Sequence, residues 1–396
     1  MSVLSINAGS SSIRIAFHGA GWPPARLLDG NLERIGRGGT NLSLSGTGRA
    51  TDPPRLAVDA ADWQSAVAFM MGWLEAQPLF ADVRAVGHRV VHGMSHTSPQ
   101  VVTEALLSEL KAIMPYDPEH LPREIELIET MGRRFPRLAQ VACFDTAFHR
   151  SMPRVATILP IPRRYQSRGV QRYGFHGLSY TFLLQELARR GDPAAASGRV
   201  IFAHLGSGAS LAAVRDGRSI DTSMGFTPAS GLPMSTRSGD LDPGLTYFLA
   251  LHEGMDAAAF QNMTNHESGL LGLSETSADM RDLLVREAGD IRAAEAVAHF
   301  CYQTKKWIGA FAAALGGLDT LVFAGGIGEN AAPIRARVCE GLGFLGVELH
   351  SERNACNAPL ISSDAGRVAV RVIRTDEESV IAELTIGALA LESKRE

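Results

Sequence analysis

A short stretch near the middle of the chain carries residues whose types and spacing suit phosphate chemistry. Residues 200–214 read VIFAHLGSGASLAAV. Two apolar runs flank a small-residue segment, which predicts a strand, a tight turn and a second strand. Because Gly206 and Gly208 leave the turn backbone uncovered, its N–H groups can approach an anion closely. The turn alone does not decide between a phosphate site and an ordinary hairpin.

Two more stretches follow the same plan. Residues 3–17 read VLSINAGSSSIRIAF, an apolar run, a hydroxyl-rich turn that begins at Asn7, and a second apolar run that contains Arg14. Residues 321–330 read LVFAGGIGEN, so a predicted strand runs directly into a glycine-rich turn, and a helical pattern follows. Three strands that end in small-residue turns predict an α/β chain with two halves of similar design.

Two charged side chains lie in or next to strand-like segments. Arg89 is surrounded by β-branched residues and flanked by His88 and His92, a pattern typical of a strand with one solvated face. Asp145 follows the apolar run 139–144. Enzymes of the α/β class place catalytic groups at the carboxyl ends of strands, but an acid in that position also caps helices, so both interpretations stay open. We expect His88 and His92 to be structural.

Length and composition indicate a globular protein of two domains. The chain has 396 residues, 45% of them apolar and 20% charged, with a formal net charge of -4. Without an excess of positive charge or an apolar run near the roughly 20 residues of a membrane span, we expect neither a nucleic-acid partner nor a membrane partner. The four cysteines lack the spacing of a zinc site, so we expect reduced core residues in a cytoplasmic protein.

The sequence motifs in these stretches, together with others along the chain, indicate one family. Nine blocks occur in order over nearly the whole chain: INAGSSSIR, GHRVVHG, FDTAFH, RYGFHG, HLGSGAS, DTSMGFTP, TRSGDLDP, DMRD and GGIGEN. In this order they resemble the acetate and propionate kinase family. The resemblance implies a two-domain, actin-like ATPase fold of the α/β class with a duplicated ribonuclease H-like core. It further implies an acceptor-side domain at 1–146, with a C-terminal helix at 378–396 packed back on it, and a nucleotide-binding domain at 147–377.

The reaction implied by the resemblance is reversible transfer of the ATP γ-phosphoryl group to a short carboxylate. Acetate is the expected acceptor, acetyl phosphate and ADP the products, Mg2+ the metal, and a homodimer the expected assembly. Acetate and propionate differ by one methylene, which a pocket resolves by only about 1 to 3 kcal/mol, so a propionate kinase stays open. Two further functions also stay open: a nucleotide-binding relative with weak or no kinase activity, and an enzyme that uses pyrophosphate as donor.

The family motifs also assign the reaction centre. They place Asp145, His176 and Arg237 at the transferring phosphoryl group, and Arg89 at the acceptor carboxylate. Because a carboxylate acceptor is already ionised near neutral pH, we expect Asp145 to position Mg2+ or its water rather than to remove a proton. The implied acyl pocket consists of Val91, Phe175 and Pro228.

Metal and nucleotide residues follow from the same motifs. Asn7 and Glu377 are the metal-side candidates, directly or through water. For the acid of the DMRD block, a helix cap and a contact to the nucleotide are both open. The residues implied at the nucleotide and its phosphates are Arg14, His204, Leu205, Gly206, Ser207, Gly208, Asp279, Met280, Arg281, Gly326, Ile327, Gly328, Glu329 and Asn330.

The chain departs from the family motifs at several places. Residues 114–122 read MPYDPEHLP where the family has a Pro-Leu-His-Asn-Pro sequence, so this segment is one residue shorter and has Tyr116 and Asp117 between its prolines. His120 either substitutes for the lost histidine or is a histidine of a surface loop, and we favour the surface loop. Ser207 replaces an asparagine of the phosphate turn, and Arg14 replaces a lysine, which keeps the charge but changes its geometry.

Overall fold

The apolar hairpins of the sequence begin two separate β-sheets in the computed structural model of the chain, which describes residues 1–9, 11–36, 38–46 and 55–391. The chain divides into two compact units. The first comprises Met1–Ala147 and the C-terminal stretch from Asp376, and the second comprises Phe148–Thr375. Ser10 of the first predicted turn and residues 392–396 of the predicted C-terminal helix lie outside the described residues.

The first unit opens with a β-meander and continues with alternating helices and strands. In chain order its elements are β1 (Ser2–Ala8), β2 (Ser12–Gly19), β3 (Arg26–Glu33), β4 (Asn41–Gly46), β5 (Arg55–Ala57), α1 (Trp63–Ala76), β6 (Val83–Val90), β7 (Gln100–Val101), α2 (Glu104–Ala112), α3 (Leu121–Arg134) and β8 (Ala139–Phe144).

The sheet of the first unit has the order β5-β4-β3-β2-β1-β6-β8-β7. β1 is antiparallel to β2 and parallel to β6, and β6 is parallel to β8. All residues of β1 are buried, because a strand covered on both faces has no solvated side, and this explains its uninterrupted apolar pattern. The buried side of α1, capped by Asp62, packs in the same core as Leu4 and Ile6.

The second unit repeats the plan with more helices. In chain order its elements are α4 (Arg154–Thr157), α5 (Gly177–Arg189), α6 (Ala194–Ser197), β9 (Arg199–Leu205), β10 (Ala209–Arg215), β11 (Arg218–Thr222), α7 (Gly244–Glu253), α8 (Ala257–Asn262), α9 (Gly269–Ser274), α10 (Met280–Arg286), α11 (Ile291–Leu315), β12 (Thr320–Ala324), α12 (Gly325–Asn330), α13 (Ala332–Cys339), α14 (Ser351–Ala355) and β13 (Ala369–Val372). Within the described ranges, no helix combines the length and the apolar character that crossing a membrane requires.

The two sheets share one strand plan. The second sheet has the order β11-β10-β9-β12-β13, which is third, second, first, fourth, fifth in chain order. Its first two pairings are antiparallel and its last two are parallel. In the first sheet, β3-β2-β1-β6-β8 has the same order and the same directions. The predicted α/β fold with a duplicated core is therefore confirmed.

The last helix, α15 (Glu377–Ala388), belongs to the first unit and packs on its sheet. It is shorter than the predicted 378–396 helix, since it ends at Ala388. At Gly87 of β6 the helix comes so near that a Cβ atom would collide with Thr385 Oγ1 and lie 2.6 Å from Ile381 Cγ2. Glycine at this position is therefore required by the close approach of helix and strand.

Two local expectations were wrong, those for Gly325–Asn330 and Cys356. Gly325–Asn330, expected as a turn, is the short helix α12. Residues 114–122 contain a 3-10 turn, Met114–Tyr116, and the first turn of α3. Cys356 is exposed, whereas the other three cysteines are buried as expected.

His18 of β2 is a histidine inside the first unit. Its side chain is fully buried. Burial and the nearby charge of Arg26 lower the pKa of His18 from 6.5 to about 4. The folded protein therefore keeps this ring neutral at a pH where the unfolded chain protonates it.

Replacing His18 by leucine should flatten the acid side of the stability curve. In the wild type, the stabilising contribution of neutral His18 is complete above pH 6.5 and is lost as the pH falls towards 4, because only the unfolded chain then binds the proton. As the pH falls through this window, the free energy of unfolding of the wild type should fall by up to about 3 kcal/mol relative to that of His18→Leu. Urea denaturation at closely spaced pH values measures it, and parallel curves would contradict the assignment.

Candidate active site

An ion pair joins the ends of two parallel strands in the first unit. Arg89 lies near the carboxyl end of β6, and Asp145 directly follows β8. Arg89 donates from Nε and Nη2 to Asp145 Oδ2, at 3.0 and 2.7 Å. Asp145 is fully buried. Burial alone would lower the pKa of Arg89, but the charges of Asp145 and Glu377 raise it above its usual value, so the guanidinium stays charged.

Asn7 connects the end of β1 to the start of α15. Its Nδ2 donates to Glu377 Oε2 at 2.8 Å and to Glu378 Oε1 at 3.1 Å. Burial raises the pKa of Glu377, which Arg89 opposes and the charge of Asp145 reinforces. Burial also raises the pKa of Glu378, and the charge of Arg14, which lies opposite Asn7 in the β1–β2 register, opposes the rise for both glutamates.

Asp145, Asn7 and Glu377 carry carboxylate and amide oxygens, which are the ligand atoms that Mg2+ prefers. Asp145 binds Arg89 through Oδ2 only; its Oδ1 is buried and has no hydrogen-bond partner in the described chain. Among those residues there is no group of three or more His, Cys, Asp or Glu side chains placed to hold a metal by themselves. Mg2+ commonly binds one or two carboxylates and completes its shell with water and phosphate oxygens. Asp145, Asn7 and Glu377 fit that kind of site.

In the second unit, the phosphate turn closes the β9–β10 hairpin. The Gly206 N–H donates to the Gly208 carbonyl at 3.1 Å, and the Ser207 carbonyl accepts from the Ser235 N–H at 3.1 Å. A Cβ atom on Gly208 would lie 3.2 Å from His176 Nε2 and 3.7 Å from Arg237 Nη1. The turn, the histidine and the arginine that the sequence assigns to the phosphoryl group therefore come together.

Hydrogen bonds orient both histidines beside this turn. The rings of His176 and His204 stack with centroids 4.4 Å apart. His176 Nδ1 is 2.8 Å from Ser210 Oγ, which also bonds the buried Tyr180 hydroxyl. Ser179 Oγ is 2.8 Å from His204 Nδ1. His176 has a φ of 61°, which is uncommon for a residue with a side chain, and such backbone strain is concentrated at functional sites.

The predicted acyl-pocket residues are distributed over both units. Val91 is buried in the first unit, and Phe175 is buried in the second. The Pro228 carbonyl accepts from Arg237 Nη1 at 3.0 Å, so this arginine fixes the loop that carries the proline. The Phe175 carbonyl accepts from His149 Nε2 at 3.0 Å.

The segment assigned to the nucleotide begins α12. Leu205 is the last residue of β9, and a Cβ atom on the neighbouring Gly206 would lie 3.7 Å from the Gly326 N–H nitrogen, so the phosphate turn and α12 are adjacent. The Glu329 carboxylate accepts from the N–H groups of Gly325 and Thr375, at 3.0 and 3.2 Å. The remaining members of the segment are Ile327, Gly328 and Asn330.

Asp279 caps α10 by accepting from the Arg281 N–H at 2.9 Å. The cap predicted as one interpretation of this acid is confirmed. The Arg281 side chain is 89% exposed and forms an ion pair with Asp279, whereas Met280 is buried. The exposed pair leaves the nucleotide role of the segment a prediction.

His120 is not a surface-loop histidine. Its side chain is only 11% exposed, and its Nδ1 lies 2.9 Å from the buried carboxylate of Asp117. Burial would raise the pKa of Asp117, but the hydrogen bond and charge of His120 lower it below its usual range. The loop that departs from the family motif therefore contains a buried acid–histidine pair.

Sequence reasoning missed several polar residues that support the site. Glu378 shares Asn7 with Glu377, Ser210 orients His176, and Glu124 accepts a hydrogen bond from the Val91 N–H. A signal existed for Glu124, because it occupies an apolar position of α3, three residues after Leu121 and one before Ile125. Ser210 lies in an apolar strand pattern that gives no sign of its partner.

Comparison with known proteins covers nearly the full chain. The family model described as the Acetokinase family matches residues 2–383. The chain belongs to this family. The chain is 42% identical to an acetate kinase of Methylocella silvestris over 398 residues, 98% of each chain, and 40% identical to a propionate kinase of Citrobacter rodentium over 388 residues, 96% and 95% of the two chains.

Solved structures agree with this assignment to the acetokinase family. An acetate kinase of Porphyromonas gingivalis superposes with a TM-score of 0.86 at 34% identity, and a propionate kinase of Francisella tularensis with a TM-score of 0.89 at 33% identity. Each comparison covers 98% of this chain and 99% of the other. The two-unit fold is thus the fold of solved acetate and propionate kinases.

Changing Gly208 to alanine should slow phosphoryl transfer while leaving the protein folded. The added methyl group would press on the His176 ring at 3.2 Å, and φ at this position is not in the left-handed region. We expect kcat to fall by on the order of tenfold or more, since small displacements of reacting groups are costly. Steady-state kinetics measures this. Gly309→Ala in α11, where a Cβ meets nothing within 4 Å, is the control and should keep wild-type kcat; a fast Gly208→Ala enzyme would contradict the assignment.

Proposed function

We propose that this protein transfers the γ-phosphoryl group of ATP to acetate, reversibly, and forms acetyl phosphate and ADP. Membership of the acetokinase family supports the reaction class. The observation that carries the proposal is the cluster around Gly208, where an uncovered turn backbone, the His176 ring and the Arg237 guanidinium meet. Backbone N–H groups and fixed positive charge are what the equatorial oxygens of a transferring phosphoryl group require.

The chain's own residues account for the other roles. Arg89 would bind the acceptor carboxylate, which a guanidinium does with two parallel hydrogen bonds. One carboxylate oxygen then attacks the γ-phosphorus as the bond to ADP breaks. The acceptor arrives ionised, so no base is needed, and Asp145 would instead fix Arg89 and the metal side. Asp279, Arg281 and α12 would border the nucleotide.

Mg2+ is the proposed metal. Asp145 Oδ1, Asn7 and Glu377 would hold it, directly or through water, and when bound it neutralises phosphate charge during transfer. A pyrophosphate donor remains an outcome of the test below. We also propose that the protein is cytoplasmic, which its four free thiols support.

Propionate is the second candidate acceptor. Its support is the 40% identity to a propionate kinase and the TM-score of 0.89 to another. The altered segment 114–122 lies in the same unit as Val91 and contains the buried Asp117–His120 pair. Since one methylene changes binding by only about 1 to 3 kcal/mol, measured rates must decide between the two acids.

Trapping of the acyl phosphate with hydroxylamine tests the function. Purified protein is given Mg-ATP with acetate, propionate or butyrate. One parallel reaction also contains EDTA, and another contains pyrophosphate in place of ATP. We expect most product with acetate, none with EDTA, and a loss of about 100-fold or more in Arg89→Ala, because a preorganised charged donor is removed.

Arg84→Ala is the matched control for the Arg89 variant. Arg84 is an exposed arginine of the same strand, β6, and its removal should leave the rate unchanged. Product with none of the acids, although the protein binds ATP, would contradict the carboxylate-kinase assignment. Product only with pyrophosphate would change the donor and not the acceptor chemistry.

The proposed assembly is a homodimer. α7 has no buried residue, and it exposes Tyr247, Phe248 and Leu251 by 73%, 53% and 64%. An apolar helix face of this kind is typical of a surface that is covered by another protein chain. We propose a second copy as that partner.

Aspartate at both Phe248 and Leu251 should convert the dimer into a monomer. Burying two unpaired charges in an interface is strongly unfavourable. Light scattering coupled to gel filtration measures the mass. The control is Val285→Asp in α10, an equally exposed apolar residue outside α7, which should leave a dimer. A monomeric wild type would overturn the proposal.

A further inference from the structure

Glu124 is a fully buried acid next to the proposed acceptor site. It lies on the apolar side of α3, with 2% of its surface exposed. Its carboxyl oxygens Oε2 and Oε1 accept from the Val91 N–H at 3.0 and 3.2 Å. Val91 follows β6 directly, and Arg89 lies two residues before it.

The Val91 N–H falls outside the hydrogen bonds of the sheet. The parallel pairing of β6 with β8 extends to Val90 opposite Phe144. Val91 is itself buried, so its N–H would have no water to bond if Glu124 were absent. A buried N–H without an acceptor is strongly disfavoured, and the strand end would move to find one. Glu124 is therefore what keeps the chain in place just beyond Arg89.

A carboxylate is an energetically unfavourable hydrogen-bond acceptor at this buried position. Burial raises the pKa of Glu124 well above its usual value; Arg89 opposes this shift, and the charges of Asp117 and Asp145 reinforce it. A neutral side chain could accept the same hydrogen bond with less desolvation. Glu124 lies close enough to Arg89 to interact with its charge. The hydrogen bond from the Val91 N–H to Glu124 is therefore next to the arginine proposed to bind the carboxylate.

We infer that Glu124 is a positioning residue of the acceptor site, which holds the end of β6 through the Val91 N–H so that Arg89 and Val91 keep their places. This inference rests on the proposed function for the role of Arg89. The residue does not touch the reacting atoms; it acts through the backbone of the strand that carries them. Loss of the hydrogen bond should therefore weaken binding of the acid and leave binding of the nucleotide unchanged.

Two conservative variants separate the effect of the side-chain length at position 124 from the effect of its charge. Glu124→Gln keeps an oxygen at the same distance along the side chain but removes the charge, whereas Glu124→Asp keeps the charge and is one methylene shorter. Leu127→Ala, a buried residue of the same helix, is the control for general loss of stability. For each variant, KM for acetate, KM for Mg-ATP and Tm are measured.

We expect Glu124→Asp to raise KM for acetate by about tenfold or more and to change KM for Mg-ATP by less than about twofold, since small displacements of a binding group are costly. Glu124→Gln should resemble the wild type. Leu127→Ala should lower Tm without raising KM for acetate selectively. Wild-type constants in Glu124→Asp, or equal rises in both KM values, would overturn the inference, as would a Gln variant as impaired as the Asp variant.

Hydrogen–deuterium exchange provides a readout that does not depend on activity. The peptide spanning residues 85–95 should exchange faster in Glu124→Asp than in the wild type, and Glu124→Gln should not differ from the wild type. Unchanged exchange in the Asp variant would also overturn the inference. The two proposals can fail separately. If the wild type acts on none of the short acids, but residues 85–95 exchange faster in Glu124→Asp than in the wild type, the proposed function is refuted and the positioning role of the hydrogen bond is upheld.

Discussion

The salt bridge between Arg89 and Asp145 is the interaction on which the first unit's candidate site depends. A buried guanidinium is tolerated only when an opposite charge and hydrogen bonds compensate for lost water, and Asp145 supplies both through one oxygen. The pair exists because β6 and β8 run parallel, so that their carboxyl ends coincide. The position of β1 beside β6 brings Asn7 to the same edge, where it meets the glutamates that begin α15. Removing Asp145 would take away the ion-pair partner of a largely buried cation, so sheet geometry and site electrostatics cannot be separated.

The second unit uses the same strand plan for different chemistry. The turn of its first hairpin has glycine on both sides of Ser207, and two side chains lie beside it: the His176 ring, oriented by Ser210, and Arg237, which donates to the Pro228 carbonyl. Where the first unit arranges carboxylates around the Arg89 guanidinium, the second arranges a glycine-containing turn with His176 and Arg237 beside it. Duplication of the core thus provides equivalent strand ends, and the residues at those ends decide which ligand each unit can bind.

Much of this could be predicted from the sequence, because strand patterns and family motifs are local. Alternating or continuous apolar runs located β1, β9 and β12, and motif matches named Arg89, Asp145 and His176 before their contacts were known. The helix at Gly325–Asn330 was missed because glycines at a strand end usually indicate a turn. His120 was misjudged, and Ser210 and Glu124 were missed, for a common reason: their roles depend on partners elsewhere in the folded chain. A motif gives residue types, whereas a hydrogen bond also requires the tertiary position of its second atom.

The charge balance of the first unit connects the candidate site to its proposed metal. Glu377 and Glu378 both have raised pKa values, chiefly through burial, and Arg89 or Arg14 only partly offsets the effect. Glu124 adds a third acid near Arg89 with the same direction of shift. The proposed acetate ion would bring further negative charge to Arg89. The buried Oδ1 of Asp145, which has no hydrogen-bond partner among the described residues, is the oxygen that stays open to the proposed divalent cation. Asp145 Oδ2 already occupies Nε and Nη2 of Arg89, so the position of Asp145 determines which N–H groups of the guanidinium stay available to the proposed acceptor.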